Sequence, residues 1–216
     1  HPLENRGLAG IDDVRLTDRF YLGEPQMRGF DIRGVRPRVQ RIFQEGKIVN
    51  GVAVNNPITD RNQIQDDAIG GRFYYMGRAE LQIPLGSGAK ELGLRPSLFI
   101  DVGSVFDVTR PVLQSVQQRE VLADGTQGGL LYYFVDSAGA LQTSTTAVNG
   151  DGSARVAAFR FKEEFLGDTW KPRLSVGFGV NWNSPFGPFR IDIARALLKQ
   201  PGDDTKLFTF NVGTQF

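Results

Sequence analysis

Residues 72–83 run Arg72-Phe73-Tyr74-Tyr75-Met76-Gly77-Arg78-Ala79-Glu80-Leu81-Gln82-Ile83. Phe73, Tyr75, Gly77, Ala79, Leu81 and Ile83 fall on one side of an extended chain. Arg72, Tyr74, Met76, Arg78, Glu80 and Gln82 fall on the other. Alternation with period two is the signature of a β-strand, whose successive side chains point to opposite faces. Working outward, the pattern returns in 94–106, where Leu94, Pro96, Leu98, Ile100 and Val102 alternate with Arg95, Ser97, Phe99, Asp101 and Gly103. It returns again in 171–183, with Leu174, Val176, Phe178, Val180 and Trp182 opposite Arg173, Ser175, Gly177, Gly179 and Asn181. Phe189, Ile191 and Ile193 then alternate with Arg190, Asp192 and Ala194. In the last stretch Phe208, Phe210, Val212 and Phe216 alternate with Thr209, Asn211, Gly213 and Gln215.

These strands are about ten residues long, the length a tilted bilayer crossing needs (~9–11 residues). The links between them alternate in length. Residues 85–93 and 184–187 are short, whereas 107–170 is long. Outer-membrane barrels have short periplasmic turns and long extracellular loops, and a β-sandwich has no reason to sort its loops in this way. The charges agree. Arg78, Glu80, Arg95, Asp101, Arg173, Arg190 and Asp192 all lie on the polar faces, and a membrane sheet must turn them to a lumen. A lipid-facing Arg or Lys at the midplane costs roughly 2–4 kcal/mol. Trp182 lies near a strand end, where an interfacial aromatic belongs. The expected fold is therefore all-β, an antiparallel up-and-down transmembrane barrel, represented by about five strands with two long extracellular loops.

Composition narrows the function classes. The chain has 216 residues, with 25 basic and 24 acidic side chains and a net charge of +1. Nothing in that balance attracts nucleic acid. Cysteine is absent, which excludes disulfides and cysteinyl metal sites. No apolar run approaches the ~18 residues of a membrane helix. The mean hydropathy of −0.25 suits a membrane barrel, since half of each strand faces water or the lumen. The start, His1-Pro2-Leu3-Glu4-Asn5-Arg6, has no apolar core and is expected to be a cut end rather than a signal peptide.

Residues 1–71 are expected to hold the end of a preceding strand and a long motif loop, and 72–216 the C-terminal strands with the insertion at 107–170. Val14-Arg15-Leu16 and Phe20-Tyr21-Leu22 are short strand candidates, and Gly23 and Pro25 mark a turn. Met27-Arg28-Gly29-Phe30 follows, an arginine, a glycine and an aromatic in a polar setting. Arg28 is expected to plug the lumen by reaching isolated acids on the polar faces. A short strand at 39–43 fits within the loop. In the insertion, 130–135, Asp136-Ser137-Ala138-Gly139 and 140–145 form a hairpin candidate, and 159–166 suits either a strand end or a helical turn. Asp203-Asp204 is expected to be a solvated loop pair.

An enzymatic reading finds little support. Asp101 and Glu80 form a carboxylate pair on paper. However, His1 is the sole histidine, and there is no Gly-x-Ser-x-Gly elbow, phosphate loop or metal-ligand cluster. The expectation is a non-enzyme without cofactor or metal.

Several stretches together resemble a known family. They are Arg19-Phe20-Tyr21-Leu22-Gly23 leading to Met27-Arg28-Gly29-Phe30, Asp67-Ala68-Ile69-Gly70-Gly71, Ile100-Asp101-Val102-Gly103-Ser104-Val105-Phe106 and Ser184-Pro185-Phe186-Gly187-Pro188-Phe189, with a terminal strand ending in Phe216. In this order they resemble the C-terminal barrel of the BamA-type outer-membrane assembly factors of the surface-antigen superfamily. Met27 departs from the Val or Ile usual there, and within 107–170 little transfers beyond the expectation of an extracellular loop.

The resemblance implies a closed barrel of which this chain holds the last strands, preceded in the parent by POTRA domains. It implies that the motif loop folds into the lumen as a latch. Arg28 would pair with Asp101 and Glu80, Gly29 would allow close approach, and Phe30 would pack on the wall. It implies that Phe208, Phe210, Val212 and Phe216 form a C-terminal strand signal, recognised by strand addition. The implied function is insertion of β-barrel proteins into the outer membrane of a Gram-negative bacterium. The implied partners are outer-membrane lipid, unfolded β-barrel clients and assembly-complex lipoproteins, with no nucleic acid. A TamA-like or two-partner-secretion pore is the alternative. A passive porin or adhesin gives no reason for Arg28 and its acids. So few strands cannot close a barrel, and the isolated chain is expected to oligomerise through open sheet edges.

Overall fold

A computed structural model describes residues 9–86, 93–185 and 187–212. In chain order its strands are β1 (Arg38–Val49), β2 (Val52–Pro57), β3 (Gln65–Ala68), β4 (Phe73–Gln82), β5 (Leu94–Phe106), β6 (Ser115–Gln117), β7 (Arg119–Val121), β8 (Gln127–Leu130), β9 (Tyr132–Val135), β10 (Leu141–Ser144), β11 (Val156–Ala157), β12 (Phe159–Leu166), β13 (Arg173–Ser184), β14 (Gly187–Leu198) and β15 (Phe208–Val212). Two three-residue 3-10 turns, Leu16–Asp18 and Arg61–Gln63, are the only helical pieces among the described residues.

The chain divides into two compact units. The first comprises His1–Arg38, Ala68–Pro111 and Leu166–Phe216; the second comprises Val39–Asp67 and Val112–Phe165. The first unit carries a five-stranded antiparallel sheet in the order β15-β14-β13-β5-β4. Consecutive strands are neighbours, as in an up-and-down barrel wall. Registers run through the whole sheet: Arg78 faces Asp101, Asp101 faces Ser175, and Phe178 lies between Leu98 and Ile193.

Burial on this sheet is inverted. Leu98 and Ile100 are 50% and 49% exposed, while Phe99 and Asp101, which alternate with them, are 2% and 0% exposed. Arg173, Ser175, Arg190, Asp192 and Thr209 are buried, whereas Phe178, Ile191, Ile193, Phe208, Phe210 and Val212 are exposed. A sheet in water would bury the second set. The covered face is the polar one, and what covers it is the segment around residues 22–35. Leu22, Met27, Phe30 and Val35 form an apolar cluster with Val105 of β5, and Ala196 packs against it. The motif segment thus brings its own small core to the inner face.

Local differences from the sequence expectations have physical causes. Val14-Arg15-Leu16 forms no strand; Leu16 opens a 3-10 turn, and Phe20 and Leu22 make single bridges to Gly71 and Val35. The strand expected at 39–43 extends over Arg38–Val49, straight through Gly46. A Cβ at Gly46 would come within 2.7 Å of the Tyr133 ring and of Leu141 Cδ2, so that glycine answers a close contact rather than ending the strand. Residues 159–166 form a strand, β12, and β9 and β10 pair across the 136–140 turn.

The second unit contains the sheet β2-β1-β12-β6 with β3 on β1, the sheet β10-β9-β11 and the hairpin β7-β8. Ala53, Tyr133 and Ala158 form its buried centre. Both long stretches expected to be loops supply it.

Candidate functional site

Met27 and Phe30 are fully buried, which pins the motif on both sides of Arg28. Gly29 between Arg28 and Phe30 has φ +83°, a left-handed conformation that costs an L-residue roughly 1–2 kcal/mol. A Cβ there would also sit 2.9 Å from Ser175 Cβ and 3.2 Å from Ala194 Cβ. The backbone therefore touches the sheet where only glycine fits, and this contact aims Arg28 along the inner wall.

Arg28 is 4% exposed. Its Nε donates to Asp101 Oδ2 at 2.8 Å and its Nη2 to Asp101 Oδ1 at 2.7 Å, a bidentate fork. Its Nη1 donates to Glu80 Oε2 at 2.8 Å. Its backbone N–H adds a fourth bond, to Asp101 Oδ2 at 2.9 Å. The guanidinium carbon lies 3.4 Å from the centre of the Phe99 ring, and the Ser175 hydroxyl donates to the Arg28 carbonyl. The structure thus brings Arg28 onto Glu80 of β4 and Asp101 of β5, while Gly29 packs against Ser175 and Ala194 and Phe30 joins the apolar cluster with Val105.

Further residues belong to it. Arg78 Nε lies 3.3 Å from Asp101 Oδ1, and its Nη2 donates to the Pro25 and Gln26 carbonyls just before the motif. Arg190 donates to Asp192 at 2.8 Å and to Glu80 Oε1 at 3.1 Å. Ser97 Oγ donates to Glu80 Oε1 at 2.6 Å. Three arginines meet three carboxylates, so the cluster is charge-balanced as well as hydrogen-bonded. Burial makes that balance necessary, because an ion taken out of water must be repaid by its partners. Arg78, Arg190 and Asp192 were already on the polar faces of the alternation, and Phe99 carried a further signal: a large aromatic on a polar face needs something to pack on. Gly177 beside it is bare because a Cβ would run into the Phe99 ring and the Ile193 carbonyl.

A second arginine cluster was not foreseen. Asp203 and Asp204 are not a solvated pair. Arg173, fully buried, donates through Nε and Nη2 to Asp203 at 3.1 and 3.2 Å, and through Nη1 to Ser104 Oγ at 2.7 Å. Arg38, also fully buried, donates to Asp204 Oδ2 at 2.8 Å and to the Gly34 carbonyl at 3.0 Å. Nearby, Lys206 Nζ donates to Glu24 Oε2 at 3.0 Å. Burial pushes the Glu24 carboxyl up from its usual range despite that ammonium, and the same contact raises Lys206.

Phe208, Phe210 and Val212 lie together on the exposed face of β15, and Phe210 stacks on Phe189 at 5.8 Å. Phe216, the last residue of the expected signal, lies outside the described residues. Among the described residues no cluster of His, Cys, Asp or Glu has a metal-binding arrangement.

A family profile described as an Omp85 superfamily domain matches residues 4–216. The chain belongs to the Omp85 superfamily. Its five-stranded antiparallel sheet is polar on the covered face and apolar on the exposed one. Among curated relatives it is 27% identical over 205 residues to the outer membrane protein assembly factor BamA of Neorickettsia risticii (strain Illinois), covering 94% of this chain and 17% of that protein. It is 28% identical over 138 residues to BamA of Neisseria meningitidis serogroup B (strain ATCC BAA-335 / MC58), covering 64% of this chain and 13% of that protein. The chain thus spans less than a fifth of these relatives. A solved structure of BamA from Haemophilus ducreyi lacking POTRA domains 1-3 aligns over 92% of this chain and 27% of its own, with a TM-score of 0.48 and 19% identity.

Proposed function

We propose that this chain is the latch-bearing part of an outer-membrane protein assembly factor of a Gram-negative bacterium. Its apolar face contacts outer-membrane lipid, and its motif segment holds the inner wall in the shape needed to insert unfolded β-barrel clients. The observation that carries this reading is the Arg28 grip: a buried guanidinium held by two acids from adjacent strands, on the covered face of an inside-out sheet. The outward Leu, Ile and Phe side chains are too contiguous for a water-facing surface and suit lipid. The role is mechanical. The latch fixes a wall, and no group in it is poised for bond-making.

Assembly-complex lipoproteins are expected as partners of the full-length protein, and the isolated chain is expected to self-associate through β4 and β15, whose outer edges find no strand among the described residues. Light scattering of the isolated chain in detergent checks the last point; a monomer opposes it. The function is tested by Arg28→Ala in the full-length protein, reading outer-membrane protein levels in cells and client folding into liposomes. Both are expected to fall. Unchanged values for both overturn the latch as the functional element.

A further inference from the structure

Between β14 and β15 the chain crosses the motif segment and joins it. Asp31 N–H donates to the Asp204 carbonyl at 3.0 Å, Asp204 N–H to the Gly34 carbonyl at 3.0 Å and Lys206 N–H to the Gly29 carbonyl at 3.1 Å. Phe30 and Thr205 form an antiparallel bridge. Residues 204–206 thus run alongside residues 29–34, joined by backbone hydrogen bonds and one bridge. Side chains clamp both ends. Asp203 holds Arg173 of β13 with both oxygens and accepts from Gln200 N–H at 2.6 Å, and Asp204 holds Arg38. Lys206 reaches back to Glu24 at the other end of the motif turn.

β15 begins two residues later, at Phe208. Among the described residues it is the end strand of the sheet and pairs with β14 at five positions, Phe208 to Val212. A strand at the edge of a sheet belongs to the low-stability end of a fold. Its entry is nevertheless bonded to the backbone of Gly29, the residue after Arg28. We propose that Asp203 and Asp204 are positioning residues that lock the entry of β15 to the motif, so that the latch and the end strand open as one unit. Coupling of this kind is reciprocal: whatever loosens Arg28 loosens β15, and the reverse. The functional meaning of that coupling rests on the assembly-factor reading above; the coupling itself does not.

The test is hydrogen exchange read by mass spectrometry on the full-length protein in lipid nanodiscs. Asp204→Asn removes the carboxylate charge that Arg38 uses and leaves Arg28, Glu80 and Asp101 in place. Peptides covering 27–35 and 208–212 are expected to exchange at least about tenfold faster together, while β4 and β5 keep their protection. Arg28→Ala is expected to speed exchange in 203–212 as well as in its own segment. Asp203→Asn provides a second route to the same result if Asp204→Asn fails to fold. Loosening confined to 199–207, or Arg28→Ala leaving 203–212 unchanged, overturns the coupling. Coupled exchange together with normal client assembly in Arg28→Ala would keep this inference and reject the assembly role.

Discussion

The two arginine clusters of the first unit are built alike but held differently. Arg28 belongs to a loop and reaches acids fixed on strands, Glu80 on β4 and Asp101 on β5. Arg173 belongs to strand β13 and reaches an acid on a loop, Asp203. In the first cluster the wall supplies the carboxylates and the loop brings the cation. In the second the wall supplies the cation. The difference shows when a carboxylate is lost. Asp101 serves Arg28 through three hydrogen bonds and Arg78 through an ion pair, and without it Arg28 keeps a single side-chain bond, to Glu80. Arg173 keeps the Ser104 hydroxyl and the Gly167 and Thr169 carbonyls whatever happens to Asp203.

Asp101→Ala is therefore expected to have the largest effect. It leaves a buried guanidinium short of its main partner, at a cost of roughly 3–5 kcal/mol. Denaturant unfolding of the full-length protein in detergent measures it. Asp203→Ala is expected to cost less, roughly 1.5–3 kcal/mol, the range of a lost hydrogen bond to a charged group. Equal costs would break the distinction and show that the wall holds both arginines in the same way.

The same contrast explains what was legible in the sequence. The strands of the first unit were visible because polar and apolar side chains take opposite faces, which keeps the alternation sharp from Phe73 to Ile83. The reading of β14 stopped at Ala194 although the strand continues to Leu198, because Arg195 sits on the outward face opposite Val176 and interrupts the apolar series. Arg28 and its acids could be placed because the acids stand alone on marked faces of long strands and because the motif resembles a family. Asp203 and Asp204 offered no such sign. They follow Pro201-Gly202, a loop signal, and their partners Arg173 and Arg38 lie 30 and 166 positions away in the chain. The second unit was opaque for another reason: apart from β1 and β12 its strands are short, Gly46 is a packing contact rather than a break, and pairing such as Val156 with Tyr133 depends on no local pattern.

Gly29→Ala probes how the loop side of the first cluster is held. The substitution keeps every charge but adds a Cβ at φ +83°, where it meets Ser175 Cβ. The backbone strain alone is roughly 1–2 kcal/mol. Exchange of the Arg28 amide, now bonded to Asp101, is expected to rise accordingly. If it does not, the motif segment has more room against β13 than the contacts imply, and the aim of Arg28 comes from Met27 and Phe30 instead.

The smallest effect is expected in the second unit, where Arg41 and Glu163 offer a partly exposed counterpart of these buried pairs. Arg41 donates to Glu163 Oε1 at 2.8 Å, and Gln114 N–H donates to Oε2 at 2.9 Å. The hydrogen bond from Arg41 is the main influence holding the Glu163 carboxyl below its usual range, and the one from Gln114 adds to it. A carboxyl lowered on folding binds protons more weakly in the native state than in the unfolded one. Its contribution is therefore complete above the ordinary glutamate range, near pH ~4.3, and is lost as pH falls through the folded value. Since Arg41 is 35% exposed and water screens the pair, the loss should be local and should shrink in salt. Hydrogen exchange of peptides 114–117 and 159–166 between pH 6 and pH 3, corrected for intrinsic rates, is expected to show protection falling toward acid, while peptides over β5 and β13 hold theirs. Protection that rises toward acid would reverse the sign and mean that Glu163 is a strained charge rather than a tie.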